Sequence, residues 1–273
     1  MRARIPLLVM ALCSLVILLQ AEESRLLRQP TVSATQIAFV YANDLWIVER
    51  AGGTARRLTT SEGAETEPRF SPDGRWIAFT GQYDGNTDVY LVPAVGGDPK
   101  RLTFHPGADI VRGWTPDGKN VLFSSGRASA PTAYPKLWMI SIEGGFPQPL
   151  PLPMAHKGVY SPDGRQMAYL PFQEAFNVWR HYRGGRTSRV WIADMKTLDI
   201  TKVPWDNSND TDPMWIDGVV YFLSDRNGTM NLFSYKTGAK EVTQVTQHKD
   251  FDVKYATAGD GVIVYEQSGW IHL

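Results

Sequence analysis

A turn sequence that recurs along the chain limits the possible folds more than any other feature. Ser-Pro-Asp-Gly at 71–74 returns as Thr-Pro-Asp-Gly at 115–118 and as Ser-Pro-Asp-Gly at 161–164. Weaker copies are Ile-Asp-Gly at 216–218 and Gly-Asp-Gly at 259–261. In such turns proline presets φ, aspartate bonds the nearby backbone and glycine accepts a positive φ. Turns that recur about every 43 to 54 residues predict a chain built from repeated hairpin units.

The segments around these turns are also in phase with one another. A short strand of β-branched and aromatic residues recurs at 37–39, 77–79, 121–123, 167–169, 220–222 and 263–265. An aromatic strand such as Asp-Leu-Trp-Ile (44–47), a glycine turn and a strand such as Arg-Leu-Thr (57–59) follow. Four strands per repeat of this length predict an all-β, six-bladed β-propeller of WD40-like repeats. The alternative is a β-sandwich built from generic hairpins. The presence of six copies in phase with one another disfavours it.

The repeats also predict the domain boundaries. We expect a signal peptide at 1–21, a linker at 22–29 and the propeller at 30–273. The expected blades are 30–64, 65–106, 107–154, 155–206, 207–249 and a partial blade at 250–273. The sixth repeat stops after its third strand, and a missing strand leaves an open sheet edge. We therefore expect a fragment of a longer protein, the alternative being that blade six is completed from elsewhere.

The first 21 residues differ from the rest in composition. Arg2 and Arg4 precede an almost wholly apolar run at 7–19, and the small residue Ala21 follows. This pattern is typical of a secretory signal peptide, and the run is short for a membrane span. It predicts export to the periplasm, with an uncleaved anchor or a cytoplasmic protein as alternatives. The single cysteine, Cys13, lies in this run, so the mature chain is expected to have no disulfide.

Charge and motif content exclude several classes of function. With 28 basic and 28 acidic residues the formal net charge is zero, which disfavours nucleic acid as a partner. The chain contains no nucleophile elbow, phosphate-binding loop, dinucleotide fingerprint or His-Glu-x-x-His zinc motif. We therefore expect neither catalytic residues nor a cofactor. A Ser/His/Asp triad could still assemble from residues that are far apart in the sequence, although no motif points to one.

Two acidic loops superficially resemble calcium-binding loops. They are Asp-Gly-Asn-Thr-Asp at 84–88 and Asp-Arg-Asn-Gly at 225–228, at equivalent places in blades two and five. Neither has the glutamate spacing of an EF-hand. We interpret both as repeated turns and expect no metal site.

The candidate binding residues form one cluster in the long insertion of blade four. They are Arg180, His181, Tyr182, Arg183 and Arg186. Such a loop opens onto one end of a propeller, and a guanidinium pairs bidentately with a carboxylate. The cluster is therefore a candidate contact for a peptide carboxylate. The alternative is that the arginines pair with acidic residues of a neighbouring domain while the aromatic rings pack the loop.

Several segments together resemble the tricorn protease family. They include Ile-Ala-Phe-Val-Tyr at 37–41, Phe-Ser-Pro-Asp-Gly at 70–74, Tyr-Arg-Gly-Gly at 182–185 and Tyr-Phe-Leu-Ser-Asp-Arg at 221–226. The Pro-Asp-Gly repeat is shared with TolB and with dipeptidyl-peptidase propellers, whereas the Tyr-Arg-Gly-Gly loop narrows the resemblance. Residues 25–273 resemble the first, six-bladed propeller of a tricorn-type serine peptidase.

This resemblance implies a function that belongs to a larger protein. Tricorn-type proteins carry two propellers, a PDZ-like domain and a serine peptidase domain, and they assemble into hexamers. The propellers are non-catalytic and gate the passage of peptides to or from the proteolytic chamber. The expected partners are thus peptides, the remaining domains and further copies of the chain. The archetype is cytosolic, which conflicts with the predicted export signal. The alternatives are a stand-alone TolB-like periplasmic protein-binding propeller and, less favoured, a propeller hydrolase.

Overall fold

The computed structural model describes residues 26–129, 134–174 and 181–273. The described residues form 23 β-strands in six antiparallel sheets, and no helix occurs among them. Each sheet corresponds to one sequence repeat. The prediction of an all-β, six-bladed propeller is therefore confirmed. The predicted signal peptide at 1–21 lies outside the described residues, and no helix within them is long and apolar enough to cross a membrane.

The first three sheets contain four strands each. Blade one contains β1 (Arg28–Val32), β2 (Gln36–Tyr41), β3 (Asp44–Glu49) and β4 (Arg56–Arg57). Blade two contains β5 (Glu65–Phe70), β6 (Trp76–Tyr83), β7 (Asn86–Pro93) and β8 (Lys100–Arg101). Blade three contains β9 (Asp109–Trp114), β10 (Asn120–Ser125), β11 (Lys136–Ser141) and β12 (Gln148–Pro149).

The last three sheets contain four, four and three strands among the described residues. Blade four contains β13 (Lys157–Tyr160), β14 (Gln166–Leu170), β15 (Trp191–Asp194) and β16 (Ile200–Lys202). Blade five contains β17 (Asp210–Ile216), β18 (Val219–Ser224), β19 (Asn231–Lys236) and β20 (Glu241–Gln244). Blade six contains three strands among the described residues, β21 (Val253–Gly259), β22 (Val262–Gln267) and β23 (Trp270–His272).

Strand order within each sheet follows chain order, with the first strand innermost. The innermost strands β1, β5, β9, β13, β17 and β21 contact one another in sequence, and β21 contacts β1. The ring therefore closes between the first and last blades. At this junction the Thr257 hydroxyl donates to the Pro30 carbonyl (2.9 Å), and the Leu27 amide donates to the Gly269 carbonyl (3.2 Å).

The recurrent turn sequence connects the first and second strands of blades two to four. In blade two the Gly74 amide donates to the Ser71 carbonyl (2.8 Å) and the Ser71 hydroxyl donates to Asp73 (2.6 Å). Neighbouring turns also pack together: a Cβ added to Gly118 would lie 3.6 Å from Pro72. The turn sequence therefore fixes both the local hairpin and its contact with the preceding blade.

The apolar core lies between successive blades. Phe79, Phe123 and Phe222 occupy comparable places on β6, β10 and β18, and each is fully buried. Burying one such side chain contributes about 1.5–3 kcal/mol. Packing between blades thus holds the inner strands around a central channel.

Candidate functional site: a charged girdle in the central channel

The inner strands surround an axial channel that contains two cavities. We call the end formed by the connections between first and second strands the hairpin face, and the opposite end the loop face. A cavity of about 620 Å³ opens among the hairpins, including residues 71–74 and 160–162. A second cavity of about 260 Å³ lies at the loop face, lined in part by Tyr182, Asn209 and Met230.

Charged side chains separate the two cavities. We call Glu67, Arg112, Lys157, Glu174 and Asp212 the girdle. Arg112, Lys157 and Asp212 line both cavities, which places them at the level where the cavities meet. No girdle side chain is more than 18% exposed. Such low exposure indicates that the girdle side chains pack against one another and are largely withdrawn from solvent where the two cavities meet.

Local backbone irregularities place three girdle residues. Glu67 and Asp212 have positive φ values of 53° and 46°, and each sits where the pairing register of its inner strand shifts. The β9–β10 register also shifts beside Arg112. A bulge adds one residue to a strand and re-aims its side chain. A left-handed conformation in a residue other than glycine costs of order 1–3 kcal/mol, so the fold retains strained positions at the girdle.

Lys157 forms the centre of one half of the girdle. Its ammonium donates to Glu174 Oε1 (2.9 Å) and to Asp212 Oδ1 (2.8 Å). The Thr211 hydroxyl donates to the same Glu174 oxygen (2.6 Å). Lys157 begins β13, Asp212 lies on β17, and Glu174 follows β14 in the blade-four insertion. This half therefore links the inner strand of blade five to the insertion of blade four.

Arg112 forms the centre of the other half. Its guanidinium lies 3.4 Å from Glu67 and donates to the Ser124 hydroxyl (3.1 Å). Arg69 pairs with the same glutamate at 2.7 Å. Arg112 also lies 3.1 Å from His156 Nε2, and His156 Nε2 lies 3.7 Å from Glu174. His156 thus connects the two halves across blades three and four.

The pairing keeps the girdle charged despite its burial. Burial opposes ionisation of Glu174, but Lys157 holds the pKa of that carboxyl well below its usual range. Burial likewise opposes the charge on Lys157, yet Asp212 and Glu174 raise its pKa. Burial and the neighbouring Arg112 lower the pKa of His156 to about 3, so this imidazole is neutral near pH 7. The girdle is therefore a set of paired ions with a neutral histidine among them.

The predicted blade-four cluster lies beside the loop-face cavity. His181 and Tyr182 line that cavity. Arg183 instead pairs with Asp225 of blade five (2.9 Å), so its partner is an acid of the neighbouring blade. Arg186 is exposed to solvent, and Arg180 lies outside the described residues. The structure thus brings two of the five predicted residues to the channel and uses a third to fasten the loop.

Sequence reasoning missed all five girdle residues, although four of them carried a signal. Glu67, Arg112, Lys157 and Asp212 lie five or six positions before the aspartate of the turn in their own repeat. Because the first strand of a blade is innermost, charges at that position face the channel. Aligning the repeats by position would have found these four. Glu174 lies in a non-repeated insertion and carried no such signal.

The two acidic loops, at 84–88 and 225–228, both contain turn residues. Asp84 and Gly85 have positive φ and form the two-residue turn between β6 and β7. Asp225 accepts from the Asn209 amide (2.7 Å) and pairs with Arg183. Within the described parts of the chain, no group of three or more His, Cys, Asp or Glu side chains is placed to hold a metal ion.

The fold and the channel define a six-bladed propeller whose axial channel is crossed by paired charges. The profile described as the tricorn protease N-terminal beta propeller domain matches residues 24–273. The chain belongs to this family. A putative tricorn protease homolog 2 from Streptomyces coelicolor is 34% identical over 264 residues, covering 90% of this chain and 22% of that protein.

Solved structures agree with this assignment. A crystal structure of the tricorn protease superposes with a TM-score of 0.80 at 26% identity, over 91% of this chain and 25% of that one. A putative TolB from Agrobacterium tumefaciens gives a TM-score of 0.66 at 18% identity, over 81% and 80%. The TolB likeness reflects the fold alone. The chain spans about a quarter of the length of the tricorn-type relatives that it matches.

Proposed function

We propose that this propeller controls the passage of peptides to or from the proteolytic chamber of a tricorn-type serine peptidase. The observation that carries the proposal is the girdle, which crosses the axial channel between two cavities on opposite faces. Its closure consists of ion pairs between long side chains. Such a closure can open when side chains rotate, without breaking strand pairing or interblade packing.

The remaining domains of a tricorn-type peptidase, and further copies of the chain in a hexamer, are the proposed partners. The proposal assigns catalysis to those domains and gives this chain a positioning and gating role. Family membership supports this division of labour, because the matched family is that of the N-terminal propeller.

His181, Tyr182 and Arg186 are the proposed first contacts for a peptide at the loop face. His181 and Tyr182 line the cavity, and Arg186 is exposed in the same loop. Arg183 contributes to the same proposed surface through its ion pair with Asp225. Arg180 lies outside the described residues and stays a contact predicted from the sequence. We expect Arg186→Ala to weaken peptide binding about tenfold, in line with one lost charge-assisted hydrogen bond.

The experiment that tests passage uses a peptide tethered at the loop face. Lys254 is exposed and lines the loop-face cavity, so Lys254→Cys can hold a cysteinyl peptide by a disulfide. The free end carries a photo-reactive group, and the peptide is too short to go round the outside of the ring. Passage predicts cross-links to hairpin-face residues such as Tyr160.

A cyclic peptide of the same composition is the control, because it is too wide to thread the channel. Cross-links confined to the loop face with the linear peptide would contradict passage. That result would instead favour the alternative function, a stand-alone TolB-like propeller that binds a protein partner at one face.

We also propose that the protein is exported, on the basis of residues 1–21. Fractionation of cells that express the chain with a C-terminal tag tests this directly. Tagged protein in the periplasmic fraction, shortened by about 21 residues, is expected. Full-length protein in the cytoplasm would contradict export.

A further inference from the structure

The ammonium of Lys157 occupies a site that two carboxylates from different parts of the fold create. Glu174 and Asp212 approach the Lys157 nitrogen at 2.9 and 2.8 Å. Both carboxylates are largely buried, with exposed fractions of 18% and 12%. A primary ammonium has three donors, and two ionised oxygen acceptors match two of them. The arrangement therefore recognises a primary ammonium as a chemical group.

This site adjoins a cavity that is open to a ligand. Glu174 and Asp212 both line the loop-face cavity, whose volume of about 260 Å³ is near the lower limit for small-molecule sites. Leu223, Met230 and Val253 give that cavity an apolar portion. Its size and lining suit the first one or two residues of a peptide.

The His156 side chain beside the cavity has a nitrogen without a hydrogen-bond partner among the described residues. His156 lines the loop-face cavity and only 6% of its side chain is exposed, yet its Nδ1 makes no hydrogen bond to any residue that the structure describes. Because Nε2 faces the Arg112 guanidinium, a donor, the neutral ring carries its proton on Nδ1. A buried donor without an acceptor loses its hydration without a compensating hydrogen bond, so a ligand that supplies an acceptor is favoured. The first carbonyl oxygen of a peptide is an acceptor of the kind that this donor lacks.

We infer that Glu174 and Asp212 form a binding site for the free α-ammonium of a peptide, which Lys157 occupies while the channel is closed. Exchange of one ammonium for another keeps both carboxylates paired, so no buried charge is left alone. Lys157 also lines the hairpin-face cavity of about 620 Å³, which can accept its displaced side chain. This inference rests on the proposed function only in that peptides enter the loop-face cavity.

The site can be tested without any peptide. Lys157→Ala leaves the carboxylates without their cation, and n-propylammonium matches the atoms that the substitution removes. We expect this amine to raise the melting temperature of Lys157→Ala in a saturable way. Lys157→Met is the matched control because its side chain fills the same space, and it should not respond. Propan-1-ol has a similar shape without the charge, and tetramethylammonium has the charge without N–H donors, so the two compounds control for shape and for charge. An equal response to tetramethylammonium, or no response to the amine, would overturn the inference.

A second measurement uses the unaltered chain, so it does not depend on the folding of a variant. Two labelled peptides of one sequence, both amidated at the C-terminus, differ only in a free or an acetylated N-terminus. We expect the free form to bind roughly tenfold to a hundredfold more tightly, as for one charge-assisted hydrogen bond. Glu174→Gln should abolish the preference. Equal binding of the two peptides overturns the ammonium site while leaving peptide entry intact.

Absence of binding by both peptides would contradict the proposed function instead. The n-propylammonium titration then decides the ammonium site by itself. The two experiments therefore separate failure of the site from failure of peptide passage.

Discussion

Glu65 and Glu174 are both withdrawn from solvent, but they lie in different regions and respond to burial in opposite ways. Glu65 begins the inner strand of blade two and accepts hydrogen bonds from the Thr59 and Tyr83 hydroxyls and from the Leu45 amide. These donors are neutral, and burial raises the pKa of Glu65. Glu174 lies in the channel against the Lys157 ammonium, which lowers its pKa despite burial.

The comparison extends to the aspartates of the two regions. At the start of the inner strand of blade five, Asp210 accepts from the Ser208 and Ser224 hydroxyls and pairs with Arg226 at 3.1 Å. In the channel, Asp212 pairs with a lysine from another blade. Glu65 and Asp210, which we call the interface acids, thus each accept from two hydroxyl groups. The channel acids Glu174 and Asp212 instead share the Lys157 ammonium, and the Asp212–Lys157 pair joins blades five and four. The first arrangement suits stability, and the second suits a closure that opens.

The largest expected loss of stability follows from replacing the interface acid Asp210. Asp210→Ala leaves the Arg226 guanidinium without its carboxylate in a buried setting. Removing one partner of a buried pair costs about 3–5 kcal/mol of unfolding free energy. Asp212→Ala is the matched control two residues away. Because Lys157 keeps Glu174 as a partner in this variant, we expect a smaller loss of unfolding free energy, about 1–2 kcal/mol. Chemical denaturation measures both, and equal losses would erase the distinction between the regions.

The next effect concerns the cation that the channel acids share. Lys157→Met fills the space of the lysine but leaves Glu174 and Asp212 without a positive partner. We expect a loss of about 2–4 kcal/mol at pH 7. The loss should shrink in acid, as protonation removes the unpaired charges. A loss that does not change with pH would show that packing, not charge, holds the girdle.

A smaller effect has a defined dependence on pH. The pKa of Glu174 is lower in the folded chain than its usual value of 4.5, so its stabilisation is present above about pH 4.5 and is lost as the pH falls. Glu174→Gln should therefore be about 1–3 kcal/mol less stable than the natural chain at pH 7. The difference should narrow steadily below pH 4.5. Denaturation curves at several pH values measure it, and a constant difference would contradict the account.

The smallest effect has the opposite sign. The pKa of Glu65 is raised in the folded chain, so ionisation of this carboxyl opposes folding as the pH rises above about 4.5. Glu65→Gln keeps the size and an acceptor oxygen, and we expect a change of at most about 1 kcal/mol. Relative to the natural chain, this variant should gain stability from pH 4 to pH 7. If the stability of Glu65→Gln relative to the natural chain changed with pH in the same direction as that of Glu174→Gln, the proposed difference between the two regions would be wrong.

Residues that repeat along the chain made the fold predictable. Asp73 and Gly74, with their counterparts in later blades, identified the hairpins and the number of blades because a turn is determined by adjacent residues. The acids Glu65, Asp109 and Asp210 likewise begin the inner strands of blades two, three and five. The sequence within each repeat therefore predicts the blades and also the acids at the start of their inner strands.

The channel site was less predictable because its contacts join distant residues. Lys157 and Asp212 are 55 positions apart, and each fills its own place on an inner strand. Arg183 was selected for its chemistry as a peptide contact, but Asp225, 42 positions later, holds it in an ion pair. The pairing of charged side chains from different blades depends on the geometry of the closed ring, because spacing within one repeat does not determine it. The insertion that supplies Glu174 has no counterpart in the other blades to align with.

The side-chain ammonium of Lys157 tests the central claim most directly, and nitrogen-detected NMR of lysine-labelled protein reports on it. The closed girdle predicts a Lys157 signal protected from exchange with water, identified by its loss in Lys157→Met. A peptide with a free N-terminus should convert that signal to a rapidly exchanging one, whereas its acetylated counterpart should leave it unchanged. A Lys157 ammonium that exchanges freely in the protein alone would contradict a channel closed by paired charges.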